Sequence, residues 1–272
     1  MVDEETDLLN ELDQYKQRLQ ETEEEIASYQ AKIHLLRNQS HEFRTLASVL
    51  NNIYLLLETP LTPEQREYAE IIRDCKDGLI TLINEFFDFL RIEAGVWELC
   101  YEPFNLHECI ENRVKWASKK PNENDVILSY HIDADVPDTV IGDIIVTNGI
   151  VSLLVNNALR YTAKGSILIS LATIGSKKSN TSVYDFCLTV NDTGIKLEPE
   201  SIECIQEFFS QKGSNLLPYE KVSPREDPFE LTLMKWYADL IDGTLWVEAK
   251  PEENATQFSL SFQYEVVNNV QQ

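Results

Sequence analysis

From Leu8 to Phe43 a 3-4 spacing holds without interruption. Leu12, Leu19, Ile26, Ile33 and Ser40 take one seam position, and Leu8, Tyr15, Thr22, Tyr29, Leu36 and Phe43 take the other. A repeat sustained over about five heptads predicts a coiled coil rather than an amphipathic surface helix. Neither Gly nor Pro occurs before Pro60, so the helix is expected to run on towards Leu57. In this register His41 stands one residue outside the seam and is open to a partner from the side. Glu42 lies beside it and Thr45 about one turn further on.

Charge is the second constraint. The 272 residues carry 46 acidic against 23 basic side chains, a formal net charge of −23. Phosphate backbones and anionic headgroups repel such a chain, so no nucleic acid and no direct membrane insertion are expected, and basic or soluble protein partners are favoured. With 43% apolar residues the chain can pack one large domain or two modest ones. No run approaches the ~20 apolar residues needed to cross a bilayer. The acidic start Met1-Val2-Asp3-Glu4-Glu5-Thr6 is the opposite of a secretory leader. Cys75, Cys100, Cys109, Cys187 and Cys204 are odd in number and form no C-x-x-C pair, so most are expected to be reduced core residues of a cytoplasmic chain. A longer protein anchored in a membrane, with this chain as its cytoplasmic part, is compatible with that expectation.

Glu58-Thr59-Pro60-Leu61 breaks the first helix, and Thr62-Pro63-Glu64-Gln65 starts a second with Thr62 at the N-cap, Pro63 at the first helical position and Gln65 closing a capping box. Apolar residues then recur at Tyr68, Ile71, Ile72, Cys75, Leu79, Leu82, Ile83, Phe86 and Leu90 until Gly95. A short loop between long helices makes them antiparallel, and a lone pair leaves apolar stripes uncovered, so a dimeric antiparallel four-helix bundle is expected. After Gly95 the pattern becomes α+β. Strands are expected at Glu98–Tyr101, Val126–Ile132, Ser166–Thr173, Val183–Val190, Thr244–Glu248 and Gln257–Tyr264. Helices are expected at Leu106–Ala117, Ile144–Tyr161, Glu198–Phe209 and Phe229–Ile241. Such runs fit a two-layer sandwich with the sheet on one side and helices on the other.

His41 carries the first chemical hypothesis. An exposed helical histidine is most often simply solvated, but a carboxylate such as Glu42 can hold one ring N–H and leave the other nitrogen nucleophilic near neutral pH, and Thr45 can orient a water. Ser40-His41-Glu42-Phe43-Arg44-Thr45 resembles the H-box of sensor histidine kinases, hybrid kinases in particular, and Leu57 to Gln65 resembles the hairpin that follows it. The resemblance runs from about Arg37 to Tyr264. It implies that His41 is the phosphoacceptor, that Glu42 assists proton transfer, and that Thr45 serves dephosphorylation of a response regulator. Leu46 stands where that family has a proline, so the usual helix bend is not expected.

Gly142-Asp143 followed by Leu154, Asn157, Ala158, Arg160, Tyr161, Thr162 and Gly165 resembles the N-box helix. The resemblance implies a nucleotide site formed by Asn157, Arg160, Tyr161, Asp192 and Gly194, with Asn157 the ligand for Mg²⁺ and Arg160 meeting phosphate. Leu153 takes the place of the family's first asparagine, with Asn156 the nearest substitute. Asn191-Asp192-Thr193-Gly194 resembles the G1 box, in which Asp192 receives the adenine amino group, although Lys196 replaces the second glycine. Read plainly, D-T-G is a turn after a strand. Ile205 to Gln211 resembles the F-box, although its paired Phe208 and Phe209 are more often core than site. The largest departure is the G2 box. A glycine-rich loop should cradle a triphosphate there, yet the chain has Asp227-Pro228-Phe229-Glu230-Leu231, in which bulk and negative charge replace glycine and proline removes a donor. The lid, Gln211 to Asp227, holds one glycine, Gly213, and Leu240 to Val247 returns to the family pattern.

The reading that follows is a homodimer with a coiled-coil helix at 1–37, a phosphotransfer hairpin at 38–95 and an ATPase-like domain at 96–272. ATP and Mg²⁺ are expected to bind weakly or not at all. The expected partners are a response-regulator receiver domain or another sensor kinase, and the expected role is phosphotransfer, phosphatase or regulatory pseudokinase. An active autokinase phosphorylating His41 and a purely structural coiled-coil adaptor are the alternatives.

Overall fold

The computed structural model describes residues 51–118, 125–175, 182–211, 217, 227–252 and 255–267. The predicted coiled coil lies outside the described residues. The chain divides into two compact units, the first ending at Trp97 and the second beginning at Glu98.

In the first unit α1 (Asn52–Leu57) and α2 (Pro63–Glu93) are joined by the predicted break. Thr62 Oγ1 accepts the Gln65 N–H at 3.2 Å and Gln65 Oε1 accepts the Thr62 N–H at 3.1 Å, completing the capping box behind Pro63. At the far end Gly95 takes φ +64°, a left-handed conformation that a side chain would strain. Lys76 is buried between the helices. Its Nζ donates to Asn51 Oδ1 at 3.0 Å, lies 2.9 Å from Asp77 Oδ1 and sits 4.2 Å from the centre of the Tyr54 ring. Burial alone would lower the Lys76 pKa, but the hydrogen bonds with Asp77 and Tyr54 outweigh it and the net shift is upward. Ala69, Lys76 and Phe87 make the inner face of α2. Tyr68, Ile72, Leu79, Leu82 and Phe86 recur along another face and stay exposed, so among the described residues of this unit one apolar stripe is left uncovered.

The second unit is a sheet backed by helices. Its elements are β1 (Glu102–Asn105), α3 (Leu106–Ser118), β2 (Asp125–Ile132), β3 (Thr139–Gly142), α4 (Ile144–Tyr161), β4 (Lys164–Thr173), β5 (Val183–Asp192), α5 (Pro199–Ser210), α6 (Pro228–Leu240), β6 (Thr244–Lys250) and β7 (Ala255–Val266). The strand order is β1-β3-β7-β5-β4-β2, with β6 also paired to β7, and only β2 and β4 run parallel. Alternation sends Ile167, Ile169 and Leu171 of β4, Phe186, Leu188 and Val190 of β5, and Phe258, Leu260 and Phe262 of β7 into the core. Ile110 of α3 and Ile150 and Val151 of α4 meet Leu171, Leu188 and Leu260 across that core. Helix α6 packs against α4 and β6, and every residue from Leu231 to Ala238 is buried.

The helices and strands fall close to their expected places, with two corrections. The first strand is not Glu98–Tyr101 but Glu102–Asn105. It pairs only with β3, and an edge strand tolerates Pro103 because one row of its backbone groups needs no partner. The short β3 was not anticipated, since four residues between turn formers carry little periodicity. The cysteine expectation is also corrected. All five are free, but only Cys109 is buried, Cys187 and Cys204 are half-buried, and Cys75 and Cys100 are exposed. Cys75 falls on the uncovered side of α2, and Cys100 precedes the strand rather than lying in it.

Gly142, the last residue of β3, lies under the Tyr264 ring, where a Cβ would come within 2.7 Å of the ring carbons. Tyr264 is itself buried and its hydroxyl is bonded to Thr147 Oγ1 at 2.6 Å, so the ring has little freedom to retreat. Gly142→Ala should therefore destabilise the second unit by about 1–3 kcal/mol through overpacking. Calorimetric scans in which the variant melts with the parent would contradict this.

Candidate functional site

His41, Glu42 and Thr45 lie outside the described residues, as does Leu46, so the geometry available is that of the second unit. Of the lid, only Gln211, Leu217 and Asp227 are described. Leu217 is buried, with its N–H donating to Thr232 Oγ1 of α6 at 3.3 Å.

Helix α4 carries most of the predicted site residues. Asp143 caps it, its Oδ1 accepting from Ile145 N at 2.8 Å and Val146 N at 3.0 Å. Leu153 is fully buried and belongs to the core. Asn156 stands beside it. Its amide oxygen accepts from the guanidinium of Arg113 on α3, which also sits 4.2 Å from the Trp116 ring, so Asn156 is engaged on the α3 side. Asn157 is buried, and Arg160 and Tyr161 follow three and four residues later on the same side of the helix.

The turn after β5 docks against the end of α4. Asp192 is buried, and its Oδ1 accepts the Gly194 N–H at 3.0 Å and the Thr162 hydroxyl at 3.4 Å. Ile195 N donates to Tyr161 O at 2.9 Å, and a Cβ at Gly194 would collide with that carbonyl and with Thr162 Oγ1. Glycine is required here by the close approach of two backbones. Lys196, in place of the second glycine, is exposed. Phe208 and Phe209 are both buried, with ring centres 5.9 Å apart, and serve the packing of α5 against β6.

The start of α6 is arranged unlike a phosphate cradle. Asp227 caps the helix through Oδ1, which accepts Phe229 N–H at 3.0 Å, and Pro228 has no N–H to offer. Arg160, the residue expected to meet phosphate, is paired with carboxylates in this structure. Its Nη1 lies 3.2 Å from Asp227 Oδ2 and its Nη2 2.6 Å from Glu230 Oε1. Glu230 is buried and its second oxygen has no hydrogen-bond partner. Burial raises the Glu230 pKa, with Arg160 working against that rise. Burial would lower the pKa of Arg160, but the attraction of Glu230 prevails and it is raised. Burial likewise raises the Tyr161 hydroxyl, opposed by Arg160. Sequence reasoning placed Glu230 at this spot as an obstacle but missed its pairing with Arg160. Nothing in a 70-residue separation signals such a pair.

Burial pushes Asp192 up to about 6, against the opposing pull of the Gly194 N–H and the Thr162 hydroxyl. An unfolded aspartate titrates near ~3.9, so between about pH 4 and pH 6 the native state holds more protons than the unfolded one. Stability contributed at this position therefore falls as pH rises through that window. Asp192→Asn keeps an acceptor for both donors and never ionises. Its stability relative to the parent should grow from pH 4 to pH 7 by up to about 2 kcal/mol. Melting curves that stay a constant distance apart over this range would refute the assignment.

Comparison with known proteins gives this geometry a context. Residues 31–95 match the His Kinase A (phospho-acceptor) domain, and residues 142–266 match the Histidine kinase-, DNA gyrase B-, and HSP90-like ATPase. The sensor histidine kinase GacS of Pseudomonas protegens is 28% identical over 233 residues, covering 85% of this chain and 25% of that protein. The signal transduction histidine-protein kinase BarA of Escherichia coli K12 is 33% identical over 209 residues, covering 76% of this chain and 22% of that protein. The chain thus spans about a quarter of the length of these relatives. Full-length ShkA, crystallised in complex with AMPPNP, shares the fold with a TM-score of 0.60 at 22% identity, over 86% of this chain and 46% of that one.

Proposed function

We infer the activity of this chain from the premise that it belongs to the sensor histidine kinases, as a hybrid-type core in which a phosphoacceptor domain precedes an ATPase domain. Within that two-component role, its nucleotide site is degenerate, and it works by phosphotransfer, as a response-regulator phosphatase, or as a regulatory pseudokinase. His41 is the phosphoryl carrier. Thr45 orients a water towards a receiver's aspartyl phosphate while Glu42 takes the water's proton, so that a P–O bond to water forms as the acyl phosphate bond breaks. None of these steps consumes ATP.

The observation that carries this reading is the capture of Arg160 by Asp227 and Glu230. An arginine already neutralised by two carboxylates has little positive charge left for phosphates, and the carboxylates add repulsion of their own. The base end of the site fits a nucleotide, with a buried aspartate and a close glycine, but the phosphate end does not fit a triphosphate. The donor set for Mg²⁺ is also thin. Leu153 is aliphatic and Asn156 is engaged by Arg113, which leaves Asn157, and one amide is poor support for an octahedral ion. A combined loss of about 3 kcal/mol in binding is roughly 100-fold in affinity. The intact turn around Asp192 is the observation that favours the second reading, an active autokinase.

The two readings separate on nucleotide. Millimolar Mg-ATP should leave the melting temperature unchanged and should not label His41, whereas Thr45→Ala should slow dephosphorylation of a phosphorylated receiver by about tenfold or more. Labelling of His41 by ATP would establish the autokinase, and a receiver indifferent to both His41→Ala and Thr45→Ala would leave only a structural adaptor.

The proposed organisation is a helix at 1–37, a dimerisation and phosphotransfer hairpin at 38–95 and an ATPase-like domain at 96–272, working as a cytoplasmic homodimer that engages a receiver domain or another sensor kinase. The uncovered stripe of Tyr68, Ile72, Leu79, Leu82 and Phe86 supports dimerisation, because a second copy offers the complementary stripe. Sedimentation should give a dimer, and Leu79→Glu together with Leu82→Glu should dissociate it. A parent chain that sediments as a folded monomer would disprove the assembly.

A further inference from the structure

Asp143 uses its two carboxylate oxygens on two different parts of the second unit. Oδ1 caps α4 by accepting from Ile145 N and Val146 N. Oδ2 accepts the N–H of Cys100 at 2.9 Å, 43 residues earlier, in the irregular stretch that leads from Glu98 into β1. The side chain is buried. The backbone of Gly142 and Asp143 is held from three sides. Gly142 lies against the Tyr264 ring, Glu102 of β1 pairs with Gly142, and Thr147 Oγ1 donates to Asp143 O at 2.7 Å while accepting from the Tyr264 hydroxyl. A carboxylate held this way is pre-set to receive both bonds, and hydrogen bonds to a charged acceptor are about twice as strong as neutral ones.

We propose that Asp143 is a positioning residue of the kinase core, coupling the course of the incoming chain at Cys100 to the seating of α4, the helix that bears Asn157, Arg160 and Tyr161. The cap fixes where α4 begins, and the bond to Cys100 fixes where the segment entering the unit runs. Because one rigid carboxylate makes both, displacement of the segment draws on the first turn of α4, and loosening of that turn frees the segment. The inference concerns the second unit alone and does not depend on whether ATP binds.

Two substitutions separate the bonds. In Asp143→Asn the amide has one acceptor, which can serve either two helix donors or one segment donor. Two outweigh one, so the cap persists and the NH₂ faces the Cys100 N–H as an unfavourable pair of donors. Cys100→Pro removes the donor itself and leaves Asp143 untouched. Hydrogen exchange on the full-length chain is the measurement. In both variants the peptide covering 98–105 should exchange roughly tenfold faster or more. Amides at the start of α4 should loosen slightly in both, by a similar smaller factor, while the centre of α4 and strands β5 and β7 keep their protection. An unchanged 98–105 peptide would show that the Oδ2 bond positions nothing. Faster exchange there with the start of α4 wholly unaffected in both variants would show that the two bonds are independent and would overturn the coupling. Global loss of protection in Asp143→Asn alone would mean a purely structural cap, and the Cys100→Pro profile would then decide between the first two outcomes.

Discussion

The tie between Arg160 at the end of α4 and Asp227 and Glu230 at the start of α6 is the interaction on which this end of the ATPase-like unit depends. Helix α6 is buried on nearly every side, so its entry point must be set by something other than exposure. A cap at Asp227 sets the first turn, and Arg160 fixes that turn against α4. The arrangement is electrostatically uneven. Arg160 keeps part of its guanidinium in water, whereas Glu230 is buried with one oxygen unmatched. Burying a carboxylate costs several kcal/mol unless it is paired, so Glu230 depends on Arg160 more than Arg160 depends on Glu230. Removal of the arginine would leave a buried negative charge without compensation, and removal of the glutamate would leave a solvated cation.

A helix start that holds triphosphate offers free N–H groups and the positive end of a dipole. Here one N–H is absent at Pro228, another is taken by the Asp227 side chain, and Arg160 is committed to two anions. On the proposed reading of the site, a triphosphate would have to displace Glu230 from Arg160 and leave a carboxylate in the same low-dielectric space, so the costs add rather than compete. At the other end of α4 nothing comparable has happened. Asp143, Thr147, Gly142 and Tyr264 form a connected set in which each polar group has its partner.

Much of this was legible in the residues. The capping box at Thr62 and Gln65, the long second helix and the termini of α4 follow from local chemistry that acts over three or four residues. Strands β4, β5 and β7 were legible because alternation is strong when one face is buried. The failures are equally physical. β3 and β1 are four-residue strands whose pairing is decided by what lies across the sheet, and the half-buried cysteines depend on which face of an element the fold happens to cover. For the site, the residues at the α6 start were recognisable as foreign to a phosphate cradle. Their partner was not, because an ion pair between positions 160 and 230 leaves no local trace.

Several residues that keep the family's pattern are required here by packing. Gly194 matches a glycine that elsewhere lets backbone approach a ligand, yet in this fold a side chain there would strike Tyr161 O and Thr162 Oγ1 whether or not a ligand is present. Gly142 is required by the Tyr264 ring, and Asp143 by the cap of α4 and the segment at Cys100. Phe208 and Phe209 are core. Each would be retained by a chain that had lost ATP altogether, because replacing it costs stability. Arg160, Asp227 and Glu230 are bound to the fold in the same way, because Asp227 caps α6 and removal of Arg160 would leave the buried Glu230 uncompensated. Together they set the guanidinium of Arg160, at the end of α4, against two carboxylates at the start of α6.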